Sequence, residues 1–430
     1  MSSIGNRIKE LRKKGNLTQM QLSDGIVTRS YLSQIEKGSA QPSYETVVKF
    51  SEKLGCEVED LYKEPENKTY ILSRLKNDLF LLEGKINDGN FKDSETLLSK
   101  IKLDFYEELN TSEKGLLEWC RGKIFENKKK WNQANSHYMN SIHFYTNAHN
   151  TTGEIRSKNS LAFTKIKQNK NVEAYNILRS CYNLALQTSL GGPMKTSILI
   201  NFGHVHMQLK EYFSAISFFW EAYELNLNTN VHVKVGETLL MLGICYKEIE
   251  EFNRAEEMNN KALTYFKALS NEEDLANVYN NLGNLYLTMN EYEKAIENFL
   301  LASDKFEENS HLDGMMISTI GLASSFYQNN QLTNCSRICY QIISKNSGPQ
   351  YQGFAYLLLG NVEFEKGKLE KSLENYLLAK NIFTEADIKW GVNKTLSKEA
   401  IVRSELGYYE EALEIFKSID LANDDPLFIN

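Results

Sequence analysis

Between Thr18 and Gly38 the chain reads TQMQLSDGIVTRSYLSQIEKG, and its chemistry-bearing side chains are hydrogen-bonding groups suited to reading a nucleic acid. Apolar Leu22, Ile26, Leu32 and Ile35, with Ile8 and Leu11 before them and Val47, Val48, Phe50 and Leu54 after, predict several short helices around one small core. Thr18 is placed to cap a second helix, and Thr28 or Ser30 a third. A helix beginning at Gln19 would aim its first backbone amides and that side chain at a phosphate. With Leu32 and Ile35 turned inward, Arg29, Ser30, Ser33, Gln34 and Lys37 face outward, and Thr28 and Tyr31 stand beside them at the start of the same helix. Arg suits bidentate contact with guanine and Gln with adenine, so this face predicts entry into the major groove of double-stranded DNA. From Met1 to Tyr44 there are seven Lys or Arg against three acids, whereas the whole chain carries −7, so the positive charge is local.

The pattern of Thr18-Gln19, then Ser30, Ser33, Glu36 and Gly38, then Pro42, resembles the lambda-repressor-like, Xre-type helix-turn-helix family over about the first 62 residues. The resemblance implies a structural role for Glu36 and base-reading roles around Arg29, Ser30 and Gln34. The turn before the third helix is one residue shorter than in the phage repressors. Arg29 and Ser30 therefore stay alternatives for the deepest base reader.

The rest of the chain repeats. Small residues fall at Gly122, Ala162, Gly203, Gly243, Gly283, Ala323, Gly360 and Ala400, at steps near 40, with Leu82 one step earlier. Twelve residues after each comes a second small residue: Ser94, Ala134, Ala174, Ala215, Ala255, Ala295, Cys335, Ser372 and Ala412. Nine residues after each stands an aromatic or leucine, as at Trp131 and Tyr292, with Asn171 the exception. Two small positions per unit let paired helices, and successive pairs, approach closely. Nine units are expected, and the fold class is all-α.

Val278 to Ala302 resembles the tetratricopeptide repeat, with Tyr279, Leu282, Gly283, Tyr286, Tyr292, Ala295, Phe299 and Ala302 at the consensus spacings. That implies a right-handed superhelix of about nine helical hairpins with a concave channel for extended peptides. The channel-lining positions of such repeats lie six and three before, and one and four after, the first small residue. In the Gly283 unit they give Asn277, Asn280, Asn284 and Leu287. Elsewhere they give Arg156 and Asn159, His204 and Met207, Ile244 and Lys247, Ser324 and Tyr327, and Asn361 and Phe364. An Asn side chain both donates to and accepts from a peptide backbone, which makes the stripe a candidate peptide wall. The chain is also rich in Asn generally, with Asn201, Asn259, Asn260 and Asn281 nearby.

The expected organisation is a DNA-binding head over 1–62, a polar linker over 63–70 containing KEPENK, and the array over 71–430. No run of residues is apolar enough to span a bilayer and the N-terminus lacks a secretion core, so a cytoplasmic location is expected. The six cysteines are scattered, and Cys335 and Cys339 fall on packing positions. His204 and His206 would point about 200° apart on a helix, poor geometry for one metal ion. With no phosphate-binding glycine loop, nucleophile elbow or HExxH, the sequence predicts neither an enzyme nor a bound cofactor or metal.

A helix-turn-helix head followed by a long repeat array resembles, over the whole chain, the RRNPP family of quorum-sensing regulators. The resemblance implies a homo-oligomer that binds operator DNA and a short secreted and re-imported oligopeptide. It also leaves open an alternative like the Rap branch of that family, in which the array dephosphorylates or sequesters a response regulator of the sporulation phosphorelay.

Overall fold

The computed structural model describes residues 4–62, 68–101, 103–188, 190, 192–229, 234–345 and 348–419. Among these it contains 23 α-helices and one short 3-10 turn, Leu103–Glu108, and no strand, which bears out the all-α reading. No described helix is long and apolar enough to cross a membrane.

The chain forms two compact units, Met1–Ser160 and Leu161–Asn430. The first opens with five short helices, α1 (Ile4–Lys14), α2 (Gln19–Ser23), α3 (Arg29–Glu36), α4 (Tyr44–Leu54) and α5 (Val58–Tyr62). Their starts are written in the sequence. Thr18 closes a capping box on α2, its Oγ1 accepting from the Gln21 amide at 3.1 Å while Gln21 Oε1 accepts from the Thr18 amide at 2.8 Å. Thr28, rather than Ser30, caps α3, and Ser43 caps α4. Ile8, Leu22, Leu32, Ile35, Val47, Phe50 and Leu61 close over one core with at most 1% of any of them exposed.

Nine hairpins follow, as the nine small-residue units predict. They pair α6 (Lys68–Asn87) with α7 (Phe91–Lys100), α8 (Thr111–Asn127) with α9 (Trp131–Asn147), and α10 (Thr151–Lys167) with α11 (Asn171–Gln187). Next come α12 (Gly192–Gln208) with α13 (Tyr212–Thr229), α14 (Val235–Glu248) with α15 (Phe252–Leu269), and α16 (Glu272–Thr288) with α17 (Tyr292–Glu308). The last three pair α18 (Leu312–Gln328) with α19 (Leu332–Ser344), α20 (Pro349–Glu365) with α21 (Leu369–Glu385), and α22 (Lys389–Glu405) with α23 (Tyr409–Ser418). The expected linker residues 63–67 lie outside the described residues, and helix begins at Lys68, inside the span expected to be linker.

The link inside each hairpin has one form. At the Gly283 unit, Asn290 takes the left-handed backbone at φ 60°, and the next amide, Glu291, bonds back to the Tyr286 carbonyl at 2.8 Å. This satisfies carbonyls that the end of α16 would leave open, and Tyr292 then starts α17. The aromatic or leucine nine residues after the small position is thus the first residue of the second helix, half-buried at Trp131, Tyr212, Phe252 and Tyr292.

Packing explains the small positions. A Cβ added at Gly122, Gly203, Gly283 or Gly360 would come closer than 3.0 Å to the ring of Tyr138, Phe219, Phe299 or Tyr376. Each ring lies sixteen residues on, in the second helix of the same hairpin, and is fully or almost fully buried. Where the small residue is Ala162 or Ala323, the facing residue is the smaller Leu178 or Cys339, both fully buried. Within the second unit, consecutive hairpins share one apolar core running from Leu199 to Val402.

Gly283→Ala is expected to destabilise the array by about 1–3 kcal/mol, the usual cost of overpacking. Phe299→Leu in the same chain should recover part of that loss, because the smaller side chain relieves the contact that the new methyl group makes, and denaturant unfolding of the single and double variants measures the coupling.

Candidate functional site

The head presents α3. Leu32 and Ile35 turn into the core, as expected, and Arg29, Ser30, Gln34 and Lys37 are exposed on the opposite face. Thr28 is exposed and engaged as the cap, its Oγ1 accepting from the Tyr31 amide at 3.2 Å. Tyr31 is half-buried and its hydroxyl donates to the Gln41 carbonyl at 3.0 Å, so it ties down the segment after α3. Ser33 is half-buried. Arg29 also edges a shallow depression that it shares with Lys13, Asn16, Thr18, Gln19 and Met20.

One buried ion pair holds this face together. Glu36, 3% exposed at the end of α3, accepts from Arg12 Nε of α1 at 2.6 Å and from Gln19 Nε2 of α2 at 2.8 Å. Arg12 Nη1 also donates to the Leu17 carbonyl at 2.7 Å. Burial pushes the Glu36 carboxyl up, but the hydrogen bonds from Arg12 and Gln19 and the Arg12 charge outweigh it and hold the group below its ordinary 4.5. Gln19 therefore stands at the first turn of α2, as expected, with its amide nitrogen held by Glu36.

In the second unit a pocket of about 650 Å³ opens against three consecutive first helices, α14, α16 and α18. Its wall is largely apolar, from Leu240, Met241, Ile244, Phe266, Phe306 and Ile317, and its polar groups include Lys234, Glu237, Asp274, Asn277, Asn280 and His311. Asn280 Oδ1 accepts from Ser318 Oγ at 3.0 Å, which fixes its carboxamide across two hairpins. Asn284 lies one turn further along α16, its Nδ2 donating to the Asn280 carbonyl at 3.0 Å, and lines a smaller slot.

The remaining expected channel residues are tied into the array. His204 Nε2 lies 3.4 Å from Glu237 Oε1, and Lys234 Nζ lies 2.9 Å from Glu237 Oε2. Burial pushes the Glu237 carboxyl up, yet the His204 hydrogen bond and the Lys234 charge prevail and hold it at about 2. Tyr327 donates to Glu365 Oε1 at 3.2 Å, and Asn361 Oδ1 accepts from the Tyr376 hydroxyl at 2.7 Å. Neither residue lines the pocket. In the first unit Arg156 is paired with Glu83, donates to the Tyr145 hydroxyl at 2.8 Å and stacks 4.2 Å from the Trp119 ring, while Asn159 is buried.

The pocket residues obey a simple rule. Lys234, Asp274 and Gly314, at a position that sequence reasoning missed, stand nine before the small residues of three successive units, and the expected Asn277, with Glu237 and Ile317 in the units on either side, stands six before. The pocket thus uses the early half of each first helix. Asp274 is pushed up by burial and by the charges of Glu273 and Glu237, against the hydrogen bonds it accepts from Asn277 and Asn271.

Comparison with known proteins agrees with this division. Residues 8–61 match a helix-turn-helix family model, and residues 196–268 and 276–304 match tetratricopeptide repeat models. The immunity repressor protein of Bacillus phage phi105 is 38% identical over 63 residues, which is 14% of this chain and 44% of the repressor, so the match spans less than half of that relative. The apo form of the quorum sensor NprR from B. thuringiensis superposes with a TM-score of 0.62 at 14% identity, over 81% of this chain and 98% of NprR. A Rap protein complexed with competence and sporulation factor superposes with a TM-score of 0.57 at 13% identity, over 81% of this chain and 96% of its own. At such identities the likeness is one of fold. The chain is a helix-turn-helix protein with a tetratricopeptide-repeat array. Its fold is like that of NprR and the Rap protein.

Glu36→Gln should lower the melting temperature at pH 7, because removing one partner of a buried pair costs about 3–5 kcal/mol. A carboxyl held below its ordinary value contributes stability above pH 4.5 and loses it as pH falls through the lowered value. The gap between wild type and variant should therefore close progressively as pH falls below 4.5, read from melting curves on acidification.

Proposed function

We propose that the protein is a cytoplasmic, peptide-responsive transcriptional regulator. The head, taken as 1–62, binds operator DNA through α3. The array, taken as 71–430 beyond a linker at 63–70, binds a short re-imported oligopeptide, and the working form is a homo-oligomer. The observation that carries the reading is the pairing of an outward α3 face bearing Arg29, Ser30 and Gln34 with an apolar pocket rimmed by Asn277, Asn280 and Asn281.

In this reading Arg29 and Gln34 read base edges, Ser30, Ser33 and Lys37 make accompanying contacts, and Gln19 and Thr28 sit against phosphates at the helix starts. The network of Arg12, Glu36 and Gln19 acts one step behind them by fixing the angle between α2 and α3. In the array, Asn277, Asn280 and Asn284 hold peptide backbone while the apolar wall takes side chains. His204, through Glu237, and Tyr327, through Glu365, tie hairpins to the helices that bear this wall, while Arg156, Asn159 and Asn361 serve packing elsewhere in the array. Bound peptide changes the packing between hairpins, which changes the spacing of paired heads. Heads that must meet half-sites about 34 Å apart, or a multiple of it, are sensitive to small changes of spacing.

Genome-wide occupancy in cells given spent medium from a dense culture, compared with fresh medium, tests the whole reading. Occupied sites that change between the two media support it, and an absence of occupied sites refutes it. Arg29→Ala and Gln34→Ala should each weaken binding to a recovered site by about tenfold or more, since a bidentate base contact carries about 1–3 kcal/mol. Neither should alter binding of peptide by the array.

A further inference from the structure

Among the five units whose first small residue is glycine, four place an aromatic ring over it from sixteen residues on. The fifth breaks the rule. Over Gly243 stands Asn259, which is 2% exposed. Its Nδ2 donates to the Ala255 carbonyl one turn back at 2.8 Å, which fixes the facing of the carboxamide. Among the described residues its Oδ1 meets no donor. A carboxamide is smaller than a ring, and the space it frees is a slot of about 20 Å³ beside Gly243, Ile244, Lys247, Asn281 and Asn284. Ile244 and Asn281 also line the large pocket, so the slot adjoins it.

Buried side-chain acceptors in folded chains nearly always take a hydrogen bond. We propose that Asn259 makes this slot a subsite for a hydrogen-bond donor on the channel's ligand. Its Oδ1 accepts an O–H or N–H either directly, from a serine, threonine, asparagine or glutamine side chain, or through one water that itself bonds the ligand. The slot's volume suits one water or the tip of a small polar side chain, and excludes an aliphatic or aromatic one. A carboxylate placed directly there would set acceptor against acceptor at Oδ1, and Lys247 beside the slot already holds Glu248 at 2.7 Å. This inference rests on the reading of the pocket as a peptide site.

The test uses the full chain and a synthetic heptapeptide mixture, with retained peptides identified by mass spectrometry. Wild type should retain peptides enriched about tenfold, at one position, for hydroxyl or carboxamide side chains over alanine and leucine. Asn259→Leu should lose that enrichment. Asn259→Phe restores the ring-over-glycine pairing of the other units and should melt higher than wild type while also losing the enrichment. Exclusion of acidic side chains at that position identifies direct contact, and their tolerance identifies the water-relayed form. Retention of the same peptides by wild type and Asn259→Leu overturns the inference and leaves the peptide reading standing. Failure of wild type to retain any peptide overturns both.

Discussion

The close approach of an aromatic ring to a glycine backbone is the contact on which the array is built. Phe299 can lie flat on α16 only because Gly283 has no side chain, and that contact sets the distance between the helices of the hairpin. A second ring one turn pair later does the same work toward neighbouring first helices: Phe383 meets both Gly353 and Gly391, and Phe306 meets Gly314. Stability is therefore a chain of nearest-neighbour terms, many of them set by a ring and the small residues facing it. The pocket is a by-product of this spacing. Fixed separations between α14, α16 and α18 leave room that apolar side chains line but do not fill.

The head solves a different problem with a different device. A domain this small has one core of about seven buried side chains, too few to fix the relative angles of five helices by packing alone. Glu36 supplies the missing constraint by accepting from α1 and α2 while belonging to α3. A buried carboxylate with two oxygens to satisfy demands a particular geometry, where apolar contacts would tolerate several. The exposed residues of α3 owe their common direction to it.

Much of this was legible in the sequence, and the exceptions have a physical cause. Small residues at a constant offset located all nine hairpins, and the alternation of Leu32 and Ile35 with polar neighbours located the outward face of α3. Asn277 and Asn280 were found because face and spacing alone place them on the wall. Tyr327, Asn361 and Arg156 occupy comparable positions but are engaged by Glu365, Tyr376 and Glu83, partners 15 to 73 residues away. Periodicity reports which way a side chain faces, and it is silent about the partner that consumes it. Asn259 was visible only as one of many asparagines until the ring-over-glycine rule gave its position a meaning.

The distance from first to second small residue is always twelve, whereas the step from one unit to the next varies from 37 to 41. The shortest step coincides with α19, which has 13 residues where α17 and α21 have 17. The shortest unit thus gives up its length on the second-helix side, and the first-helix wall keeps its register there. A unit built this way can change length at its back while the chemistry of its front face is set by single residues along the first helix, so the two properties vary independently.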